Sequence, residues 1–143
     1  MADNWEPVHT IHEYYDGPRS GATELNGEPY WYRSIYLDGE WNHAEDRFEL
    51  TPLSREILDV DLESNAIFKR WDEARKNGEI IWAQGDEDSF GAIPDEMPRF
   101  RELNAIVDTF LANTKPTHFA RGHFAPDARQ VQWRLLPSAD SHP

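Results

Sequence analysis

The sequence predicts an α+β fold: a mainly antiparallel β-sheet with two α-helices packed on one face. Three observations carry this reading. Segments rich in β-branched and aromatic residues gather towards both ends of the chain. Two stretches with helical apolar spacing lie between them. Turns containing glycine, proline, asparagine and aspartate punctuate the extended segments. With 143 residues the chain reads as one domain, ordered over about residues 8–136, with a polar tail at 137–143 that frays.

Residues 8–15, from Val8 to Tyr15, read as the first strand. Residues 16–21 hold Gly17, Pro18 and Gly21 and read as a dense turn, followed by a short strand over 22–25. Asn26 and Gly27 are the strongest two-residue hairpin signal, because a type I′ turn needs positive φ at both positions. The return strand covers 28–37, with Pro29 tolerable only near its start or at an edge. Asp38 and Gly39 open another turn, and the alternation over 47–51 predicts a fourth strand.

Residues 54–62 fit two periods. Ser54 and Glu56 suit a helix start, whereas Ile57, Leu58, Val60 and Leu62 with Asp59 and Asp61 between them favour a turn and a fifth strand. Ser64 or Asn65 then caps a helix over 66–77, in which Ile67, Trp71 and Ala74 share a face. Arg75 and Lys76 complement the helix dipole, and Gly78 stops the helix. A short strand over 79–83 and an acidic loop over 84–91 follow. Asp95 or a neighbour opens a second helix ending near Asn113, with Leu103, Ile106, Val107, Phe110 and Leu111 as its apolar stripe. Residues 118–124 and 129–136 close the sheet as two strands. Ile67, Trp71, Leu103, Ile106 and Phe110 are the expected core.

Charge narrows the function. There are 27 acidic residues against 14 Lys and Arg, a net charge of −13. Residues 1–100 hold 23 acids and 9 bases, whereas residues 101–143 carry a net +1. Such a surface repels phosphate backbones, so no direct nucleic-acid binding is expected. Eighteen aromatic residues, six of them Trp, argue against disorder. The absence of cysteine removes disulfide and thiolate chemistry. With no signal-peptide pattern and no apolar span of bilayer length, the expectation is a cytoplasmic protein without membrane association.

Tyr14, Tyr15, Asp16, Gly17, Pro18, Arg19, Ser20 and Gly21 spell a YYDGPRSG segment. Gly27, Glu28, Pro29 and Tyr30 form a Gly-x-Pro-aromatic step; Leu50, Thr51, Pro52 and Leu53 form a Leu-x-Pro-hydrophobic step; Arg70, Trp71 and Asp72 follow. Together these motifs, over roughly residues 13–74, resemble a loose group of short uncharacterised bacterial proteins that share a YYDGPRSG-like segment. The resemblance supports an intact fold and implies no activity.

Five features are candidates for function. In the 16–21 loop, Arg19 and Ser20 could grip an anion, or Asp16 could cap its own loop and pair with Arg19. The six histidines lack metal spacing: His9 and His12 fall on opposite faces of a strand, as do His118 and His123, so no metal or other cofactor is expected. Asp59, Asp61 and Glu63 would crowd on one strand face, where crowding raises a carboxyl pKa; alternation alone also accounts for them. Tyr30, Tyr32 and Tyr36 share one face of the return strand, opposite Trp31, Ile35 and Leu37. That tyrosine face is either an exposed anchor or covered core. Finally Arg121, His123, Arg129 and Arg134 either bind an anion or pair internally with the acidic majority.

These features favour a non-enzymatic protein-binding module, immunity-like or inhibitory, that meets a basic protein partner. Its binding residues would be Asp16, Arg19, Tyr30, Tyr32 and Tyr36, with Asp86, Glu87 and Asp88 steering the partner. The alternative is a small anionic-ligand-binding or catalytic domain using Arg19 and the C-terminal arginines. A pocket holding Arg19, Arg121 or His123 would favour the alternative; a flat acidic surface with exposed tyrosines would favour the first.

Overall fold

A computed structural model of the chain describes residues 4–14, 17–35, 47–79 and 91–137. Among these residues seven strands and two helices make an α+β fold. The strands are β1 (Trp5–Pro7), β2 (Glu13–Tyr14), β3 (Pro18–Leu25), β4 (Glu28–Ser34), β5 (Arg47–Pro52), β6 (His118–Phe124) and β7 (Gln130–Leu136). The helices are α1 (Arg55–Lys76) and α2 (Met97–Ala112), the latter preceded by a 3-10 turn over Pro94–Glu96. The chain divides into two compact units: one over Met1–Arg55 and Asn113–Pro143, which carries the sheet, and one over Glu56–Ala112.

All strand pairs are antiparallel, in the order β1-β7-β6-β5-β4-β3-β2. The two edge strands of that list, β1 and β2, are successive pieces of one short stretch of chain. Between them Val8 donates its N–H to the Arg129 carbonyl at 2.9 Å and bridges Thr23 of β3. One segment therefore bonds to both ends of the sheet, which closes into a small barrel. Closure removes the unpaired edges that an open sheet would present.

The interior confirms the closure. Tyr32, Phe48, Phe124 and Trp133 come from four different strands, yet every pair of their rings lies within 5.4–6.0 Å. The Trp133 indole N–H donates to the Thr23 hydroxyl oxygen at 3.3 Å. These residues sit on β7 and β3, with three strands between them in the sheet order. In a flat sheet they would be separated by roughly 19 Å, at about 4.8 Å per strand. Thr23 in turn donates to the Pro7 carbonyl at 2.9 Å, so both of its roles are used.

Two glycines make room for this packing. Gly122 lies opposite Trp133 in the β6–β7 register, and a Cβ there would stand 2.8 Å from the indole ring. At Gly21, φ is +155° and a Cβ would stand 2.0 Å from the Thr10 carbonyl oxygen. That close approach lets Thr10 accept from the buried Tyr32 hydroxyl at 3.0 Å.

The hairpin at Asn26 and Gly27 forms as the dipeptide predicts, with φ of 54° and 81°. The closing strands also fall where expected. Of the first expected strand, 8–15, the described residues form only the Val8 bridge and β2, and β1 precedes it, because the segment must cross from one sheet edge to the other; Tyr15 lies outside the described residues. The turn expected over 16–21 is largely strand: Pro18, Arg19, Ser20 and Gly21 belong to β3.

The expected strand over 57–62 does not exist. One helix of 22 residues runs from Arg55 to Lys76, so the cap expected at Ser64 or Asn65 is helix interior. Leu58, Asp61, Ser64, Ile67 and Trp71 form its buried face, a three- and four-residue spacing that absorbs the local alternation. Polar Asp61 and Ser64 sit on that face and obscured the helical period in the sequence. Ser64 is satisfied by donating to the Asn104 carbonyl oxygen at 2.5 Å. Gly78, at φ 76°, ends α1 in a Schellman arrangement: Glu79 N–H meets the Ala74 carbonyl and Gly78 N–H the Arg75 carbonyl.

Ile67, Ala92, Met97 and Leu103 make the core of the helical unit, with Val60 and Phe100 packed against them. Trp71 is buried as expected. Ile106 is not core: it is 39% exposed, and Phe110 is half-buried, because the α2 stripe rotates towards Met97, Leu103 and Val107. Of the strand expected over 79–83 only Glu79 is described, and of the acidic loop over 84–91 only Gly91. Among the described residues no helix is long and apolar enough to cross a membrane.

Exposed ion pairs join the helical elements, Arg99 with Glu63 and Arg70 with Glu96, and others lie within one helix, Arg99 with Glu102 and Asp72 with Arg75 and Lys76. Hydrogen bonds from Arg99, Arg70 and Arg75 hold Glu63, Glu96 and Asp72 below the ordinary carboxylate range. A depressed folded-state pKa stabilises above the unfolded value, and that contribution is lost as pH falls through the folded one. Melting midpoints followed from pH 6 to 3 should therefore fall, and their sensitivity to added salt should fade at the acid end. A salt dependence that persists unchanged at pH 3 would show that these pairs are not its source.

Candidate functional site

The barrel has two ends. The Asn26–Gly27 hairpin lies at one, where the buried Glu6 carboxylate accepts the Asn26 N–H at 2.8 Å. The β6–β7 turn lies at the other, together with the start of β3. A cavity of about 260 Å³ opens there, lined by Tyr14, Gly17, Pro18 and Arg19 on one side and by Gly122 to Pro126 and Ala128 on the other.

Alternation along β3 turns Arg19 inward, on the same face as Gly21, Thr23 and Leu25. Its guanidinium carbon lies 6.0 Å from the centre of the Phe48 ring, and the residue is only 5% exposed. An arginine is rarely this buried, because desolvating the cation is costly unless its surroundings compensate. The Phe48 face supplies part of that compensation. Gly17, at φ 128°, stands beside the guanidinium: a Cβ there would lie 3.3 Å from an arginine terminal nitrogen.

The lining mixes apolar side chains, Pro18, Phe124, Ala125, Pro126 and Ala128, with a larger share of polar surface, and the Tyr14 ring stands 69% exposed at the rim. His123 is exposed and adds an imidazole, with the Trp5 ring 5.9 Å away. The turn that forms one wall is well defined. Ala125 N–H donates to the Gln130 carbonyl, Ala128 N–H to the Ala125 carbonyl, and Arg129 N–H to the Asp127 carboxylate. Among the described residues that line the cavity, none is acidic.

The expected binding residues separate. Tyr32 is fully buried inside the barrel and presents no surface to a partner, which takes it out of the expected anchor. Tyr30 is half-buried against the same core, edge-on to His118 at 5.6 Å. The tyrosine face is thus the interior, and Trp31 lies on the outside, stacked with His12 at 5.2 Å. Asp16, Tyr36, Asp86, Glu87 and Asp88 lie outside the described residues. The arginines do not converge on one site either. Arg19 points into the barrel, whereas Arg121 and Arg134 occupy its outer face and Arg129 the turn.

The inward aim of Arg19 and the part of Gly122 and the 125–128 turn in the cavity were not visible in the sequence. Reading β3 from Pro18 rather than Ala22 would have given the inward phase of Arg19. Among the described residues no group of three His, Asp or Glu side chains could hold a metal ion. No family model, no curated protein and no solved structure matches the chain.

Proposed function

We propose that the chain binds a small anionic molecule in the cavity at the end of its barrel. The observation that carries this reading is Arg19, a buried cation at the wall of a cavity in a protein of net charge −13. An anion there meets a preorganised guanidinium in a low-dielectric setting, where a charge-assisted bond is strong. One planar guanidinium suits one carboxylate, bound bidentately. Phe124 and Pro126 offer contacts to a short body beside the carboxylate, in a lining whose larger share is polar. A volume of 260 Å³ lies just below the roughly 300 Å³ at which pockets for drug-sized ligands begin, so the ligand is small.

An acidic surface with exposed tyrosines would have favoured a protein partner instead. With Tyr32 inside the barrel, that reading loses its central anchor. The acidity then serves solubility.

The test is a titration of small carboxylates, benzoate and butyrate first, followed by amide chemical shifts. Residues 17–19 and 122–128 should shift together. Arg19→Gln should weaken binding by about tenfold or more, the loss expected when a charged hydrogen bond is removed, while Arg19→Lys should retain part of it. Ala125→Leu narrows the cavity and should weaken the longer ligand more than the shorter. Shifts scattered over the surface, or unchanged affinity in the Arg19→Gln protein, would sink the reading.

A further inference from the structure

The outer face of the barrel carries a row of arginines. Arg47 of β5 pairs in register with Arg121 of β6, and Arg121 pairs in register with Arg134 of β7. Residues directly opposite on antiparallel strands share a face, with Cα atoms about 4.5–5.5 Å apart. Three guanidinium groups therefore spring from one row across three neighbouring strands. Like charges directly opposite one another destabilise a sheet, so the row works against the fold that holds it.

The row is more unusual for the company it keeps. Carboxylates outnumber Lys and Arg by 27 to 14 in this chain. Arg33, Arg70, Arg75, Lys76 and Arg99 each have a carboxylate partner. Arg33 meets Glu49 on the same outer face, one row away from the three arginines. Among the described residues no carboxylate pairs with Arg121 or Arg134, although both are exposed. Internal pairing, one of the two fates open to these arginines, does not occur for these two among the described residues.

We propose that Arg121 and Arg134, with Arg47 beside them, form a binding site for a phosphoryl dianion. Two guanidinium forks from adjacent strands reach the oxygens of one tetrahedral dianion, whereas a single carboxylate would satisfy only one of them. The next residues outward on this face are His123 and Gln132, paired with each other, and Trp5 opposite Gln132. They offer ring faces and an amide to whatever carries the phosphoryl group. This site shares His123 with the rim of the cavity but has its own cations, because Arg19 faces the interior and the row faces outward.

The experiment uses the full chain and two probes: inorganic phosphate, and a neutral peptide bearing one phosphoserine, with its unphosphorylated form as control. Amide and guanidinium chemical shifts of Arg47, Arg121 and Arg134 are followed against chloride at matched ionic strength. Phosphate should shift these residues saturably and raise the melting midpoint; chloride should not. The double variant Arg121→Gln, Arg134→Gln should bind at least tenfold more weakly. Without ligand it should melt no lower than the parent, since it relieves like-charge crowding. That second readout separates a binding role from a structural one, because arginines needed for the fold would lower the midpoint when replaced. Tighter binding of the phosphopeptide than of phosphate assigns the dianion to a phosphorylated protein; equal affinity assigns it to a free small phosphate. No difference between phosphate and chloride, or equal binding by the double variant, overturns the site.

Discussion

Replacing Trp133 by Ala should destabilise the protein by about 3–5 kcal/mol, the usual cost of emptying a buried aromatic site. Three effects combine. The indole is fully buried and touches the rings of Tyr32, Phe48 and Phe124, so its loss leaves a cavity at the centre of the barrel. Its N–H no longer meets Thr23, which joins two strands that are not neighbours. Gly122 opposite then faces empty space with no side chain to fill it. For a domain of this size the melting midpoint should drop by about 10 °C or more. Trp5→Ala is the control: Trp5 is 44% exposed on β1, so its replacement should move the midpoint by only a degree or two. Equal effects of the two substitutions would refute the closed barrel with Trp133 at its centre.

Gly21→Ala should cost about 3 kcal/mol, the upper part of the range for overpacking a tight site. The added methyl would stand 2.0 Å from the Thr10 carbonyl oxygen, which is backbone and cannot rotate away. Relief requires the Val8–His12 segment to lift from β3. That breaks the bonds from His9 N–H and Thr10 N–H to the Ala22 carbonyl, and from the Tyr32 hydroxyl to Thr10. It also loosens the His9–Glu24 contact at 2.7 Å. The effect should be local in hydrogen exchange: amides of residues 8–12 and 20–23 lose protection, whereas those of α1 and α2 keep theirs. Uniform loss across both units would mean that the N-terminal segment does not act as a separable strap.

Much of the fold was legible because it rests on local chemistry. Asn26 and Gly27 specify their hairpin by backbone conformation alone. Gly78 ends α1 because a residue tolerant of positive φ lets its own N–H and that of Glu79 donate to the last helical carbonyls. The strands 118–124 and 130–136 follow from residue type and alternation. The 57–62 segment was misread because Ile57, Leu58, Val60 and Leu62 alternate with acids. A period of two and a period of 3.6 agree over so short a run, and buried Asp61 and Ser64 disguised the helical face.

The sites divide differently. Arg19 stood out in sequence for its turn-rich neighbours, but the turn was the wrong context: its burial comes from its phase along β3. The tyrosine stripe was visible, yet alternation cannot say which face of a strand turns inward. Arg47 carried no signal at all, because only the strand register sets it beside Arg121.

By itself, then, the sequence determined the class of fold, the hairpin, the helix stop, the closing strands and the acidity of the surface. Each is a property of neighbouring residues or of simple counts. Tertiary structure alone decided that the sheet closes on itself, that Tyr32 is core, that Arg19 lines a cavity and that three arginines share a row. These depend on contacts between residues far apart in the chain. Cross-strand register and closure are set by packing of Trp133, Phe48 and Tyr32 around two glycines, and no local pattern encodes that geometry.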